Sequence, residues 1–456
     1  MKLISQFKNK YNNITYKTYQ LKNGMKLLHL DNPATTNFDF ALIHKAGSAY
    51  EKEENVPDGT AHFLEHMLLN PNAIFKTKDQ INRFEQGGID RPAIHMNAFT
   101  SRKHIAFTGN SHQDGKYRIL ERIQSIYHFP KRKFNNQLEK ERGIILAEKS
   151  RKLKKENDNY LMSLEFLFKG IQDEFTGDVL GEVGDIKNIS IDDLEVYFKN
   201  RFTLSNTVVS VQSNGELDSK CVAMIEDIAN NLPEKELKKD RDIQLENRYR
   251  IGAFSEKRAN GISISFIYFK KDSKKIDYNV RDKEYLLAKL LQWLSFEILR
   301  EKKSLIYSFS PFRNTANSFN HIMYGYRFTT EKEKIATAIE EYYKLIYEDS
   351  YKFLKSKKGR EWFEDAISTY IYPKTASYDE TLGEGIAPSL IEDEDIFNYN
   401  IAVREAKKIK IEDMKEFLQE RSQIPPHIWI EGDMSKSELK RVVEESSFTQ
   451  RFESKV

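Results

Sequence analysis

The pattern of apolar and polar positions near the start of the chain predicts a β-hairpin. YKTYQL at residues 16–21 and MKLLHL at 25–30 are separated by a short segment that contains Asn23 and Gly24. An Asn-Gly pair between two alternating runs is typical of a hairpin turn. We therefore expect the first strand of the protein at 16–21, paired with the strand that follows it.

A second pattern occurs twice, 220 positions apart. NISIDDLEVYFKNR at 188–201 and KIKIEDMKEFLQER at 408–421 share two isoleucines, an aspartate and the final arginine. In both copies acidic residues follow an Ile-x-Ile pair and open an amphipathic stretch, which favours the start of a helix. Strand-like HIAFTG at 104–109 and HIMYG at 321–325 also each precede a helical segment.

This repetition predicts a duplicated domain. Because strands and helices are mixed and hairpin signals are present, we expect an α+β fold of two homologous mixed α/β domains. Each domain should be a mostly antiparallel sheet packed with helices. A polar stretch at 233–246 places the domains at 1–232 and 247–456.

Composition excludes several functional classes. The 456 residues include 72 Lys or Arg and 69 Asp or Glu, a net charge of +3 that argues against a dedicated nucleic-acid binder. The single cysteine, Cys221, excludes an intramolecular disulfide framework. No apolar run is long enough to cross a membrane. The first residues are basic but lack the apolar core of a secretory signal, so we expect a cytoplasmic protein.

The segment GTAHFLEHMLL at 59–69 carries the strongest chemical signal. His62, Glu65 and His66 match H-x-x-E-H, the inverted form of a zinc-protease helix motif. Positions four apart share a helix face, so both imidazoles can reach one metal and Glu65 can reach a water bound to it. Thr60 is suited to cap the start of this helix.

A third metal ligand is expected to be acidic. In LEKERGIILAEKS at 138–150, Glu141 and Glu148 are seven positions apart and therefore lie on one face of a helix. A buried carboxylate on such a face needs a partner, and zinc is one. The spacing alone equally fits an ordinary charged helix.

Further motifs occur in an order that resembles one family. AGSAYE at 46–51 precedes the H-x-x-E-H segment, and GG at 87–88, NAFTS at 97–101 and the Glu-x6-Glu helix follow it. Together these motifs resemble the pitrilysin/insulinase family of zinc metallopeptidases. The chain is similar to the short two-domain branch of that family, which is related to the mitochondrial processing peptidases.

The resemblance implies roles for the acidic and histidine residues. His62 and His66 would be zinc ligands, and Glu148 would be the third ligand. Glu65 would be the general base for the attacking water. Glu141 would orient a ligand histidine, as carboxylates around metal sites do.

The resemblance also implies substrate-binding residues. Asn97, Ala98 and Phe99 would lie on an edge strand that pairs with extended peptide. In the second domain, LREKKSLIYSFSPF at 299–312 resembles the family's Arg-x6-Tyr element. Arg300 and Tyr307 would bind the substrate backbone and stabilise the tetrahedral oxyanion. From the residues alone, both fit ordinary structural positions equally well.

The expected assembly follows from the family's clam-shaped chamber, of which this chain would supply half. We expect one zinc per chain, because the region offset by 220 from the motif, EYLLAKLLQW at 284–293, is apolar. The leading hypothesis is a homodimeric zinc endopeptidase acting on peptides or unfolded segments. The alternatives are the catalytic subunit of a heterodimeric processing peptidase that removes a leader, and a non-catalytic structural subunit.

One departure from the family pattern lies next to the predicted cleft. IDRPAIHM at 89–96 separates the glycine pair from Asn97, where the family has about two residues. Within this insertion Asp90 and His95 are candidates for substrate contact. The insertion fits equally well a longer loop without a catalytic role.

Overall fold

The structure is a computed structural model of the chain. It describes the following residues: 1–127, 135–155, 159–171, 173–236, 239–240, 250–255, 261–271, 273–314, 321–369 and 381–446. In these ranges, none of the helices combines the length and the apolar character that crossing a bilayer requires.

The chain divides into two compact units that are interleaved in sequence. The first unit comprises Met1–Asn157, Gly177–Lys239 and Lys374–Tyr399. The second comprises Asp158–Thr176, Asp240–Pro373 and Asn400–Val456. The domain limits 1–232 and 247–456 stay a prediction from the sequence. Within the polar stretch that suggested them, residues 237–238 and 241–246 lie outside the described residues.

The first unit is built on a seven-stranded sheet with the order β1-β2-β3-β7-β4-β6-β5. Its strands are β1 Lys2–Lys8, β2 Thr15–Gln20, β3 Lys26–Asp31, β4 Asn37–His44, β5 His95–Thr100, β6 Ile105–His112 and β7 Thr207–Ser213. Only the β3–β7 pair among these neighbours is parallel.

The predicted hairpin is confirmed as β2 and β3, but it does not contain the first strand. Gly24 adopts a φ of 93°, which favours glycine, and the Asn23 side chain accepts a hydrogen bond from the Met25 amide. The strand β1 precedes the hairpin and pairs with β2. Most of its residues are exposed, so no buried alternation marks it in the sequence.

The second unit is built on a five-stranded sheet with the order β10-β11-β9-β12-β8. Its strands are β8 Ile251–Ser255, β9 Ile262–Lys271, β10 Ser308–Asn314, β11 His321–Thr330 and β12 His427–Gly432. Here β12 is parallel to β8 and antiparallel to β9, as β7 is to β3 and β4 in the first sheet. The five strands therefore repeat the order of β3-β7-β4-β6-β5, which confirms the predicted α+β fold of two homologous mixed domains.

Helices connect and cover the strands. The described residues form α1 Thr60–Leu69, α2 Lys78–Glu85, α3 Lys116–Ser125, α4 Asn135–Lys155, α5 Asn159–Phe168, α6 Val183–Asn188, α7 Ile191–Arg201, α8 Ser219–Asn230, α9 Tyr278–Leu294, α10 Ile335–Lys344, α11 Ser350–Lys355, α12 Lys357–Thr369, α13 Leu382–Ile386, α14 Tyr399–Ala406, α15 Ile411–Arg421 and α16 Lys436–Glu444. In α8, burial raises the pKa of the Cys221 thiol to about 12.

The repeated sequence pattern corresponds to α7 and α15, each followed by the strand β7 or β12. The arginine that ends each helix makes an ion pair within its own unit. Arg201 pairs with Glu53 at 2.6 Å and with Glu54 at 2.7 Å. Arg421 pairs with Glu284 on α9 at 3.0 Å. In both units the final arginine is therefore ion-paired, although its partner precedes α1 in the first unit and lies on α9 in the second.

Candidate metal centre

The helix α1 begins at a position that only glycine fits well. Gly59 has a φ of 94°, and a Cβ added there would lie 2.5 Å from the carbonyl oxygen of Leu180. Glu51 caps the helix from outside, since its carboxylate accepts hydrogen bonds from the amides of Gly59 at 2.9 Å and Ala61 at 2.7 Å. The predicted cap at Thr60 is wrong, because its hydroxyl donates to the Pro57 carbonyl instead.

Two imidazoles and one carboxylate converge on one side of α1. His62 and His66 lie one turn apart with their ring centroids 4.6 Å from each other. The Nε2 atoms of His62 and His66 lie 3.9 and 3.7 Å from Oε2 of Glu148 on α4. One ligand atom from each of the three residues falls within 4.8 Å of the others. In the described parts of the chain this is the one such group of His, Cys, Asp or Glu residues.

This donor set fits zinc. Zinc takes imidazole nitrogen and carboxylate oxygen at about 2.0–2.2 Å, so two ligands of a tetrahedral ion lie about 3.4 Å apart. The observed separations of 3.7 and 3.9 Å exceed this value by a few tenths of an ångström. Three protein ligands leave the fourth position to water or substrate, which is the arrangement of catalytic rather than structural zinc sites.

Glu141 fixes the orientation of one imidazole. It lies two turns before Glu148 on α4, is 6% exposed, and has Oε2 3.3 Å from Nδ1 of His66. Burial opposes ionisation of Glu141, but hydrogen bonds from His66 and Asn70 outweigh it and lower the pKa. Burial likewise opposes protonation of His66, yet the carboxylates around it raise its pKa. A His66 Nδ1–H that donates to Glu141 leaves Nε2 free to bind metal.

Glu65 lies on the same helix but contributes no atom to the three-residue cluster. The hydroxyl of Thr100, at the end of β5, donates a hydrogen bond of 2.7 Å to Oε2 of Glu65. Burial raises the pKa of Glu65, while this hydrogen bond and the charge of His66 act in the opposite direction. Thr100 thereby fixes the position of a buried carboxylate beside the two histidines.

The strand β5 lies at an edge of the first sheet, next to β6. Asn97, Ala98 and Phe99 are consecutive on this strand, and Phe99 is 41% exposed. Of the predicted insertion, His95 and Met96 are the first two residues of β5 rather than part of a loop. Asp90 lies in the turn between Gly88 and Arg91, whose backbones are hydrogen-bonded.

Arg300 and Tyr307 belong to the second unit and are not members of the cluster in the first. The Arg300 guanidinium lies 5.2 Å from the ring centroid of Phe296. Tyr307 is 54% exposed and donates a hydrogen bond to the carboxylate of Glu331, which raises the pKa of Tyr307. Their roles in substrate binding stay predictions.

Sequence reasoning missed two residues that position α1. Glu51 and Thr100 both belong to segments that carried the resemblance, AGSAYE and NAFTS. The available signals were an acidic residue, Glu51, shortly before the predicted helix, and a hydroxyl residue, Thr100, directly after the predicted substrate-binding residues. Neither signal identifies a partner, because Thr100 and Glu65 are 35 positions apart, and the Glu51 carboxylate reaches across an intervening loop to amides 8 and 10 positions further on.

Comparison with protein families agrees with the geometry. The model described as insulinase (peptidase family M16) matches residues 26–167, which include the three-residue cluster. The model described as peptidase M16 inactive domain matches residues 188–349. Together the two models match more than half of the chain.

Curated relatives and solved structures point the same way. The beta subunit of mitochondrial-processing peptidase from Neurospora crassa is 26% identical over 220 residues, which are 48% of this chain and 44% of that one. The human beta subunit is 30% identical over 40% of this chain and 35% of its own length. The matches thus span less than half the length of these relatives.

Among solved structures, the first half of the periplasmic protease PqqL from Escherichia coli superimposes with a TM-score of 0.72. The identity is 15%, and 98% of each chain is covered. Pitrilysin gives a TM-score of 0.71 at 17% identity, over 95% of this chain and 47% of that one. At these identities the likeness concerns the fold alone. The two family models and this fold together show that the chain belongs to the M16, or insulinase, family of peptidases.

Proposed function

We propose that the protein is a zinc-dependent endopeptidase that hydrolyses peptides or unfolded segments. The observation that carries this proposal is the convergence of His62, His66 and Glu148 within 4.8 Å of one another. A set of two imidazoles and one carboxylate with an open fourth position is the pattern of catalytic zinc. Membership in a family of peptidases supports the same reaction class.

The side chains around the cluster have distinct tasks in this proposal. Zinc, when bound, supplies a Lewis acid that lowers the pKa of water to about 7 and polarises a carbonyl group. Glu65, which is held by Thr100, accepts a proton from the attacking water. Glu141 keeps His66 in the tautomer whose Nε2 can bind the metal. The outer edge of β5 pairs with the extended peptide.

The second unit contributes Arg300 and Tyr307 to the proposal. A guanidinium and a phenol hydroxyl are suited to stabilise the negative charge that develops on a tetrahedral oxyanion. We propose that two chains assemble into a chamber in which these groups complete the site of a homodimer. The cytoplasmic location also stays a prediction.

Metal content and peptide cleavage by the purified chain test the function. We expect about one zinc per chain and cleavage of a pool of unfolded peptides. Glu65→Gln is the matched control, because it removes the general base but no metal ligand. It should keep the zinc and lose cleavage by about 10³-fold, the middle of the range for a lost acid–base group. Cleavage that persists in this variant, or a wild type that takes up no zinc, would contradict the proposal.

A second candidate is the catalytic subunit of a heterodimeric processing peptidase that removes a leader. The observation that favours it is the similarity to beta subunits of mitochondrial-processing peptidase. A zinc-loaded wild type that cleaves only after a related subunit is added would support this candidate over a homodimer. A third candidate, a non-catalytic structural subunit, would bind no zinc, so metal analysis separates it from the other two.

A further inference from the structure

The second unit contains a cavity of about 310 Å³ between its sheet and two helices. Its lining residues along α9 include Arg281, Glu284, Ala288 and Leu291, which recur at intervals of three or four and so lie on one face of the helix. Phe417 and Arg421 line it from α15. The volume lies at the lower end of the range for small-molecule sites.

The cavity lies among the counterparts of elements that surround the metal-binding helix. In the second unit α9 follows β9 and precedes β10, as α1 follows β4 and precedes β5 in the first. The helix α15 contacts α9, as α7 contacts α1. The duplication has therefore kept these elements in contact while the residues on the site helix have changed.

Aromatic rings form much of the wall of this cavity. Tyr268 and Tyr324 are paired on adjacent strands, and their rings stack with centroids 5.4 Å apart and an angle of 18°. Tyr326 and Tyr285 also line the cavity. Flat walls of this kind favour a planar ring, which can stack or meet them edge to face.

The charges at the cavity are predominantly positive. Three arginines and one glutamate line it, namely Arg281, Arg313, Arg421 and Glu284. The Glu284 carboxylate accepts hydrogen bonds of 2.7 Å from Lys270 and of 3.0 Å from Arg421. Its negative charge is thus matched by two cations before the other arginines are counted.

The arrangement of these cations indicates where an anion would bind. Arg313 is exposed and stands opposite Tyr324 in the strand register, while Tyr324 stands opposite Tyr268. Burial lowers the pKa of Lys270, and the neighbouring charges of Arg313 and Arg421 act in the same direction. A guanidinium at the rim of an aromatic wall is well placed for a carboxylate attached to a ring.

We propose that this cavity binds a small planar aromatic carboxylate, with its ring against the tyrosines and its carboxylate facing the arginines. The proposal involves none of the residues assigned to metal binding or peptide hydrolysis. It gives the second unit a ligand site of its own beside α9, the topological counterpart of the metal-binding helix α1.

Titration of the full chain with 2-naphthoate and with the uncharged 2-naphthamide tests the proposal, because the two probes share a ring system and differ in charge. Ligand-observed NMR or calorimetry gives both affinities. We expect 2-naphthoate to bind at least about tenfold more tightly, a difference of about 1.4 kcal/mol. Arg313→Gln changes an exposed residue and should reduce this preference to less than about threefold, whereas Arg313→Lys should keep most of it.

A second variant tests the location. Ala288→Trp places a large side chain in the cavity and should abolish binding of both probes. Lys289→Trp adds the same side chain at an exposed position on the same helix and should leave binding unchanged. Equal affinity for the two probes, binding that survives Ala288→Trp, or no binding of 2-naphthoate up to about 5 mM would overturn the proposal. If Ala288→Trp fails to fold, the probe pair and Arg313→Gln still decide it.

Discussion

The helices α1 and α9 occupy the same topological place in two sheets of the same strand order, yet they carry different chemistry. On α1, His62 and His66 converge with a carboxylate of α4. On α9, Arg281 and Glu284 line an aromatic cavity instead. Each of the two helices contacts the repeated helix of its own unit: α1 contacts α7, and α9 contacts α15. After a duplication, the packing of a scaffold thus persists while the side chains exposed to a cleft are free to change.

Removing a metal ligand should have the largest effect and should separate the two helices most clearly. For Glu148→Gln we expect loss of stoichiometric zinc and a fall in peptide cleavage of about 10³-fold, since metal-ion catalysis contributes several kcal/mol. Glu284→Gln, on the counterpart helix, should leave zinc content and cleavage within about twofold. Zinc retained by Glu148→Gln at wild-type stoichiometry would break the comparison.

The arginines that end α7 and α15 differ in burial, so their removal should differ in cost. Arg201 and Glu54 are 1% and 3% exposed in their side chains, against 19% and 16% for Arg421 and Glu284. Arg201→Met leaves a buried carboxylate without its cation and should lower the free energy of unfolding by about 3–5 kcal/mol. Arg421→Met should cost about 1–2 kcal/mol. Urea denaturation, with hydrogen exchange assigning the change to one unit, measures both; equal costs would contradict the burial argument.

Acid should destabilise the first unit more than the second. Burial lowers the pKa of His44 to about 3 in the first unit, where His29 and His104 are also shifted down, and that of His427 to about 4 in the second. A histidine that is neutral when folded contributes stability above pH 6.5, and this stability is lost as the pH falls towards the folded pKa.

For His44 alone the expected loss between pH 7 and pH 5 is about 2 kcal/mol, because 1.36 kcal/mol corresponds to each pH unit below 6.5. Hydrogen exchange at the two pH values should show this loss in peptides of the first unit, and His44→Gln should reduce it. His112→Gln, at an exposed histidine at the end of β6, is the control. A pH dependence that is unchanged in His44→Gln would sink the assignment.

The smallest effect concerns the way the two helices begin. Glu51 is buried and accepts two backbone amides of the α1 terminus, whereas α9 is capped by its own preceding residue, Asp277, through the amide of Val280. Glu51→Gln removes one of two acceptors in a buried place and should cost about 1–2 kcal/mol. Asp277→Asn should be near neutral, because Asn and Asp cap equally well. Thermal denaturation compares the two variants, and a larger loss for Asp277→Asn would reverse the interpretation.

The parts of the structure that follow from short-range geometry were accessible from the sequence. The spacing of His62 and His66, and that of Glu141 and Glu148, each fit one helix face, so the cluster needed only that α1 and α4 meet. The Asn-Gly hairpin and the repeated helix were likewise local patterns. Each of these signals lies within about 15 residues, where helix and turn rules apply.

The parts that depend on contacts distant in sequence were not accessible. The segment that contains α13 belongs with the first unit although it follows most of the second in sequence, and Lys26 and Lys45 form ion pairs with Asp393 and Glu392 there. The hydrogen bond of Thr100 to Glu65 and the cavity beside α9 also arise only when remote elements meet. The apolar character of 284–293 agrees with the buried leucines of α9, but no pattern indicated that one face of this helix lines a cavity.

The buried thiol of Cys221 has a practical consequence. Since it is the one cysteine of the chain, is fully covered, and has a pKa near 12, thiolate-directed reagents should ignore it at neutral pH. The natural protein is thus a ready background for site-directed labelling without prior cysteine removal. A pair of introduced cysteines, one at Asp90 beside the edge strand and one at Lys289 on α9, would accept spectroscopic labels. With one label in each unit, the distance between the two labels can be measured during peptide turnover.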